Sequence, residues 1–163
     1  MIAVPDIRPM LVLACGNPSR GDDTLGPLLI ERLAERQRAG ELRQVDLLAD
    51  FQLQVEHVLD LQGRELVVFV DAAASGPEPF SFRPVGPEPD AGYTTHAMAP
   101  GAVLRVFEQV TREDSPPAWL LAIRGYTFDL GSSVSTAADA NLSQAFEHLL
   151  RTLGEWESGA EES

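Results

Sequence analysis

Asp22 and Asp23 stand side by side ahead of an amphipathic run. Asp71 closes a β-branched apolar run that reads as the most buried strand, and His96 lies in a loop before a further helical pattern. An aspartate at a helix start is ordinarily a cap. Two in succession let one cap while the other points elsewhere, and the helix N-terminus favours the ionised form that binds metal. Asp71 has an ordinary role too, capping the turn that follows its strand. Yet a carboxylate ending a strand buried on both faces must be paired, hydrogen-bonded or bound to a metal. Two carboxylates and one imidazole form an O,O,N set suited to a divalent ion such as nickel, zinc or manganese, with positions left open.

Other chemistries find less support. Cys15 ends an apolar run and reads as a small buried residue, not a nucleophile. His57 and His148 sit at helical spacing among apolar neighbours and are assigned no role. Ser132, Ser133 and Ser135 follow a glycine without a nucleophile-elbow pattern, and no Ser-His-Asp or Cys-His spacing occurs. All 12 basic residues are Arg, which excludes a P-loop lysine and a Schiff-base lysine. A net charge of −13, from 25 acidic residues against 12 basic ones, opposes binding to a phosphate backbone. One cysteine excludes a disulfide framework and fits a reducing cytoplasm. No run reaches the roughly 18 apolar residues of a membrane span, and the start lacks signal-peptide character.

The elements that must position these groups follow from periodicity. Met10–Cys15 reads as a buried strand broken by Gly16-Asn17-Pro18. A helix begins near Asp23 or Thr24, with Pro27 in its first turn and Leu25, Leu28, Leu29 and Leu33 recurring at helical spacing. Leu42–Leu48 is a candidate second strand, Leu53–Leu61 a helix, and Glu65–Asp71 a strand buried on both faces. Phe80–Val85 alternates and contains Pro84, as an edge strand does; its short connection to the preceding strand suits an antiparallel direction. A helix from Pro100 to about Thr111, a strand over Trp119–Ile123 and a helix from Thr136 to about Leu153, capped by Ser135, complete the chain. Residues 1–8 and 155–163 are expected to fray. Strands alternating with helices predict a single α/β domain over residues 1–163: a mostly parallel, partly mixed sheet of about five strands. Ligands of such sheets sit at the carboxyl ends of the strands, where Asp22-Asp23 and Asp71 would meet.

The stretch Leu11–Pro27, with Gly16-Asn17 and Gly21-Asp22-Asp23 followed by Gly26, resembles the opening of the hydrogenase maturation endopeptidases. Val67-Val68-Phe69-Val70-Asp71-Ala72 is similar to the family's second acidic motif, and Thr95-His96-Ala97-Met98 to its Thr/Ser-His motif. The three occur in order over residues 10–153. The resemblance implies a three-layer α/β/α sandwich. It implies an enzyme that clips a C-terminal extension from the large-subunit precursor of a nickel–iron hydrogenase. It also places nickel, supplied by that precursor, on Asp23, Asp71 and His96, with Asp22 as a cap or a support behind the ligands. The expected partner is that precursor alone, with no nucleic acid or membrane, and the expected state is a cytoplasmic monomer.

Departures from the family are Thr24 after the acidic pair and Asp50-Phe51-Gln52 in place of an Asp-Gly-Gly stretch. Asp50–Glu56 and Ile123–Tyr126 resemble the branch serving cytoplasmic NAD(P)-linked hydrogenases, with Gln52 and Arg124 as candidate contacts to the precursor. Three competitors share parts of the pattern. A phosphoacceptor receiver domain has a similar acidic layout but needs a lysine that is absent. A dinucleotide-binding module needs Gly-x-Gly-x-x-Gly, where this chain has Gly16-Asn17-Pro18-Ser19-Arg20-Gly21. A non-hydrolytic metal chaperone would use the same ligands.

Overall fold

In the computed structural model, which describes residues 7–88 and 98–162, five strands form one mixed sheet in the order β2-β1-β3-β5-β4. These are β1 (Met10–Cys15), β2 (Val45–Asp50), β3 (Leu66–Ala73), β4 (Phe80–Val85) and β5 (Ala118–Arg124). β1 pairs in parallel with β2 and β3, and β3 with β5; β4 closes the edge antiparallel to β5. The expected edge strand over Phe80–Val85 is therefore present with its expected direction.

Helices cover both faces, and the strands show why. Met10, Val12 and Ala14 of β1 point to one side, into a core shared with Leu25, Leu29 and Leu33 of α1 (Leu25–Arg38) and with Leu142, Leu149 and Leu153 of α4 (Thr136–Glu162). Leu11 and Leu13 point to the other side, against Leu61 of α2 (Val58–Leu61) and Val103, Leu104 and Phe107 of α3 (Pro100–Thr111). Alternate residues of a strand face opposite sides, so a strand covered on both faces must be apolar throughout. That is the three-layer α/β/α sandwich. No helix among the described residues is long and apolar enough to cross a membrane.

Three expectations are corrected. The second strand is Val45–Asp50, not Leu42–Leu48: Leu42 takes a positive φ of 55° in the preceding loop, and the parallel register with β1 runs on to Cys15 opposite Asp50. The helix expected over Leu53–Leu61 shrinks to a 3-10 turn, Val55–His57, leading into one turn of α2. α4 passes Leu153 and stays helical to Glu162, although residues 155–163 were expected to fray. Trp156 explains the extension, since its ring lies 6.4 Å from Phe82 and 6.3 Å from Trp119, which themselves stack at 4.8 Å. At the other end the Arg8 N–H donates to Asp46 at 3.2 Å and Arg64 donates to the Arg8 carbonyl at 2.7 Å, while residues 1–6 of the terminus expected to fray lie outside the described residues.

Candidate active site

The crossover from β1 through α1 to β2 lies on one face of the sheet, and the return through α2 to β3 lies on the other. The crevice between the carboxyl ends of β1 and β3 is the switch point where ligands of such sheets bind. A cavity of about 250 Å3 opens there. Asp23 and Asp71 both line it, with Cys15 and Gly16 at the end of β1, Phe51 and Gln52 after β2, and Met98 and Pro100 at the start of α3.

Asp23 reaches the cavity from a 3-10 turn, Gly21–Thr24, that runs into α1. Its Oδ2 accepts the Asn17 N–H at 2.8 Å. Asp71 extends from β3 at the first accessible position after four buried residues, and its Oδ1 accepts the Ala72 N–H at 2.8 Å. The strand itself continues to Ala73, so Asp71 marks where β3 leaves the core and not where pairing stops. Each carboxylate thus commits one oxygen to a backbone donor. Its second oxygen meets no protein donor among the described residues. Two such oxygens in one crevice have the chemistry of hard or borderline metal ligands.

The electrostatics point the same way. Although water reaches Asp71 through the cavity, the protein around it desolvates the carboxyl and pushes its pKa up to about 6. The Ala72 hydrogen bond opposes that rise, and the negative charge of Asp23 adds to it. Cys15 is driven further: burial first, then Asp71, Asp50 and Asp23, push its thiol up to about 12. At neutral pH its thiol stays protonated in the cavity wall.

Asp22 does not cap the helix it precedes. It is fully buried, and its carboxylate accepts four hydrogen bonds: from the Tyr126, Thr127 and Ser135 N–H groups and from the Ser135 hydroxyl, all at 2.7–2.9 Å. Burial works to raise its pKa, but these bonds win and hold it below the usual carboxylate range. Ser135 also caps α4 as expected, its Oγ accepting the Ala138 N–H at 3.2 Å. With Asp22 saturated in this way, the acidic pair of a receiver domain is not available.

The third expected ligand, His96, lies outside the described residues, as does most of its Thr95-His96-Ala97-Met98 motif. Among the described residues no three His, Cys, Asp or Glu side chains form a metal-binding group. The flanking chain is nonetheless anchored at the cavity: Met98 lines it and donates its N–H to Leu53 O at 3.1 Å. Of the two candidate precursor contacts, Gln52 lines the cavity. Arg124 does not, and its guanidinium donates to Gly76 O at 2.8 Å. His148 packs between Phe80 and Phe82, with ring centres 5.1 and 5.0 Å away, remote from these residues.

Sequence reasoning missed two contributors. His57, given no role, is buried and bridges Gln54 and Asp50. Its signal was the spacing Gln54-x-x-His57, a reciprocal cap at the start of the 3-10 turn. Gly16 is the other. A Cβ there would stand 2.0 Å from the Asp23 carbonyl oxygen and 3.1 Å from Pro27. Gly16→Ala is therefore expected to push the acidic turn off the strand end, costing about 2–3 kcal/mol of stability and most of the activity. The control is Gly154→Ala in α4, where a Cβ meets nothing within 4 Å and stability should rise by about 0.5–1 kcal/mol. Thermal melts of both variants check the pair.

No family model matches the sequence, and no curated protein matches it. Solved structures do. A [NiFe] hydrogenase maturation protease HycI from Thermococcus kodakarensis is 25% identical with a TM-score of 0.65, over 90% of this chain and 93% of that one. The hydrogenase maturating endopeptidase HybD from E. coli is 19% identical, TM-score 0.67, over 90% and 92%. The maturation protease HybD from Thermococcus kodakarensis is 21% identical, TM-score 0.65, over 89% and 98%. The chain has the fold of the hydrogenase maturation proteases. Within that maturation-protease fold, the crevice holding Asp23 and Asp71 sits at the switch point of the sheet, and the agreement extends along nearly the whole of each chain.

Proposed function

We propose that this protein is an endopeptidase that removes the C-terminal extension of a nickel-loaded hydrogenase large-subunit precursor. The observation that carries the reading is the pairing of Asp23 and Asp71 in one crevice, each with an uncommitted oxygen, in a chain with the maturation-protease fold. Nickel belongs to the precursor and is part of the substrate. The free oxygens of Asp23 and Asp71, with His96, are the residues that would hold it. A divalent ion held there would supply Lewis-acid chemistry, polarising the scissile carbonyl or lowering the pKa of a water. The protein's own part is to orient the two carboxylates through Asn17 and Ala72, and to keep Cys15 protonated so that no thiolate competes. Hydrolysis then adds water across one peptide bond and releases the extension. Cleavage by a cytoplasmic monomer, conditional on nickel, is part of the proposal. So is a precursor from the NAD(P)-linked branch, supported by the resemblance over Asp50–Glu56 and Ile123–Tyr126.

The test is intact-mass analysis of a purified large-subunit precursor incubated with the protein, with and without prior nickel loading. Loss of a C-terminal peptide from the loaded precursor alone is expected. An unchanged mass in both would turn the reading toward a metal chaperone that does not hydrolyse.

A further inference from the structure

The outer edge of β4 carries unpaired backbone groups. β4 runs antiparallel to β5, and the Arg124 N–H donates to Pro79 O at 3.1 Å. In an antiparallel ladder, residues bonded to the partner strand alternate with residues whose N–H and C=O point away from it. Counting on from Pro79, the bonded positions are Ser81, Arg83 and Val85, opposite Ala122, Leu120 and Ala118. Phe80, Phe82 and Pro84 turn their backbone outward, where no partner meets them among the described residues. Proline has no N–H, so this edge offers two donors and three acceptors, one residue in two. Beyond Val85 the chain leaves the edge for a face of the sheet, where the Glu88 N–H donates to Gly101 O at the start of α3.

Sheet edges are commonly blocked by proline and by charge. Here both blocks, Arg83 and Pro84, lie in the half of β4 remote from the crevice. The strand direction puts Phe80 at the carboxyl ends of β3 and β5, and Asp71, Ala122 and Ser81 form one row across three strands. With strands about 4.8 Å apart, a strand added outside β4 would run roughly 14 Å from Asp71, a gap that about five extended residues span. The two sides of such a strand would meet different surroundings. Phe80 and Phe82 pack toward α4, where Trp119 and Trp156 stand 4.8 and 6.4 Å from the Phe82 ring. Arg83 points to the other side, exposed, with no carboxylate in ion-pair distance among the described residues. A second copy of the chain fits this edge poorly. Two-fold pairing centred on Phe82 sets Phe80 against Pro84, which has no N–H to give, and Arg83 against Ser81, which has no charge. It also joins two chains of net charge −13.

We propose that the β4 edge captures an extended segment of the protein substrate as an added strand, with apolar residues beside Phe80 and Phe82 and an acidic residue opposite Arg83. The backbone ladder supplies affinity, and the side chains on either side of it supply preference. A segment held there runs alongside the crevice and limits how far the bond to be cut can stray from Asp71. The proposal rests on the endopeptidase reading only in taking the precursor as the source of the segment.

Amide hydrogen exchange of the full-length protein, alone and with an excess of precursor carrying no nickel, reads the edge residue by residue. Alone, Phe80 and Phe82 should exchange about tenfold faster than Ser81 and Arg83, whose N–H groups are bonded to β5. The precursor should slow Phe80 and Phe82 by about tenfold or more and leave Ser81 and Arg83 as they were. The side-chain preference is read with two capped peptides, acetyl-Val-Glu-Val-Thr-Val-amide and its lysine counterpart. Wild type should bind the glutamate peptide about fivefold more tightly, and Arg83→Glu should reverse the order. Unchanged exchange at Phe80 and Phe82 with precursor present would overturn the strand addition. So would slowing that grows with protein concentration alone, which assigns the edge to a second copy. Equal binding of the two peptides, or an order that survives in Arg83→Glu, would overturn the acidic preference. Cleavage is scored separately on nickel-loaded precursor. Normal cleavage with no slowing at the edge counts against the edge alone, and slowing without any cleavage counts against the endopeptidase reading alone.

Discussion

Asp71→Asn is expected to reduce precursor cleavage by about three orders of magnitude or more while leaving the protein folded and, at neutral pH, somewhat more stable. Both halves come from the same geometry. Asp71 presents its free oxygen to a crevice whose protein walls desolvate it, and Asp23 adds like charge. The folded state therefore favours the protonated form, with the pKa raised to about 6 against roughly 3.9 in the unfolded chain. The sign follows from proton linkage. Below pH 4 the carboxyl is neutral in both states and contributes nothing. Between pH 4 and 6 the unfolded chain ionises first and gains, so stability is lost as pH rises, and the whole penalty is present above pH 6. Asparagine carries no such penalty, so its melting temperature should exceed that of the wild type at pH 7.5 and converge with it near pH 4. Solvent access through the cavity keeps the difference small. Groups that trade stability for reactivity are a mark of functional sites. Asp23→Ala should match it in lost cleavage. Progress curves and melts at the two pH values decide the matter. Normal processing by both variants would remove the carboxylates from the chemistry, and a wild type equally or more stable at pH 7.5 would remove the electrostatic account.

How far such a site can be read in advance differs by residue. Asp23 and Asp71 were legible because each sits at a break between a buried apolar run and a polar turn, and the sheet rule brings such breaks to one edge. The edge placement of Phe80–Val85 was legible for a comparable reason, since Pro84 and the alternation both concern a single strand. Asp22 was not. Whether an aspartate caps its own helix or ties down a loop more than a hundred residues later depends on contacts that no local pattern encodes. His57 and Asp50 are seven residues apart, but their pairing needs the strand to run on to Asp50, and the alternation in Leu42–Leu48 placed its end two residues short. The length of α4 turned on Trp156 finding Phe82 and Trp119 across the sheet, so the acidic composition of the end misled.

Asp22→Ala should be the most destabilising single change at a polar position, costing about 3–5 kcal/mol and lowering the melting temperature by roughly 10–15 °C. The carboxylate is fully buried and collects three backbone N–H groups and one hydroxyl from the Tyr126–Ser135 connection. Removing it leaves those donors without a partner, and each buried unsatisfied donor carries its own penalty. Asp22→Asn should fall nearly as far, because an amide replaces one acceptor oxygen with a group that faces the donors as a donor itself. The neighbouring backbone leaves no room for compensation. Gly21 has φ +53°, and a Cβ on it would lie 2.4 Å from the Thr127 carbonyl oxygen, so the turn is already in close contact with the loop it holds. The pH dependence is opposite in sign to that of Asp71. A carboxyl held below its ordinary range stabilises the fold above the unfolded pKa near 3.9, and that contribution is lost as pH falls through the folded value. The wild type should therefore lose stability on acidification below pH 4 more steeply than Asp22→Ala, so that the gap between them narrows in acid. Asp22 and Asp23 are adjacent, and the anchored residue fixes the direction of the other. Cleavage by Asp22→Ala at a temperature where it remains folded should drop by about tenfold, far less than for Asp23→Ala. Equal melting curves for wild type and Asp22→Ala would sink the anchoring role, whatever the activity does.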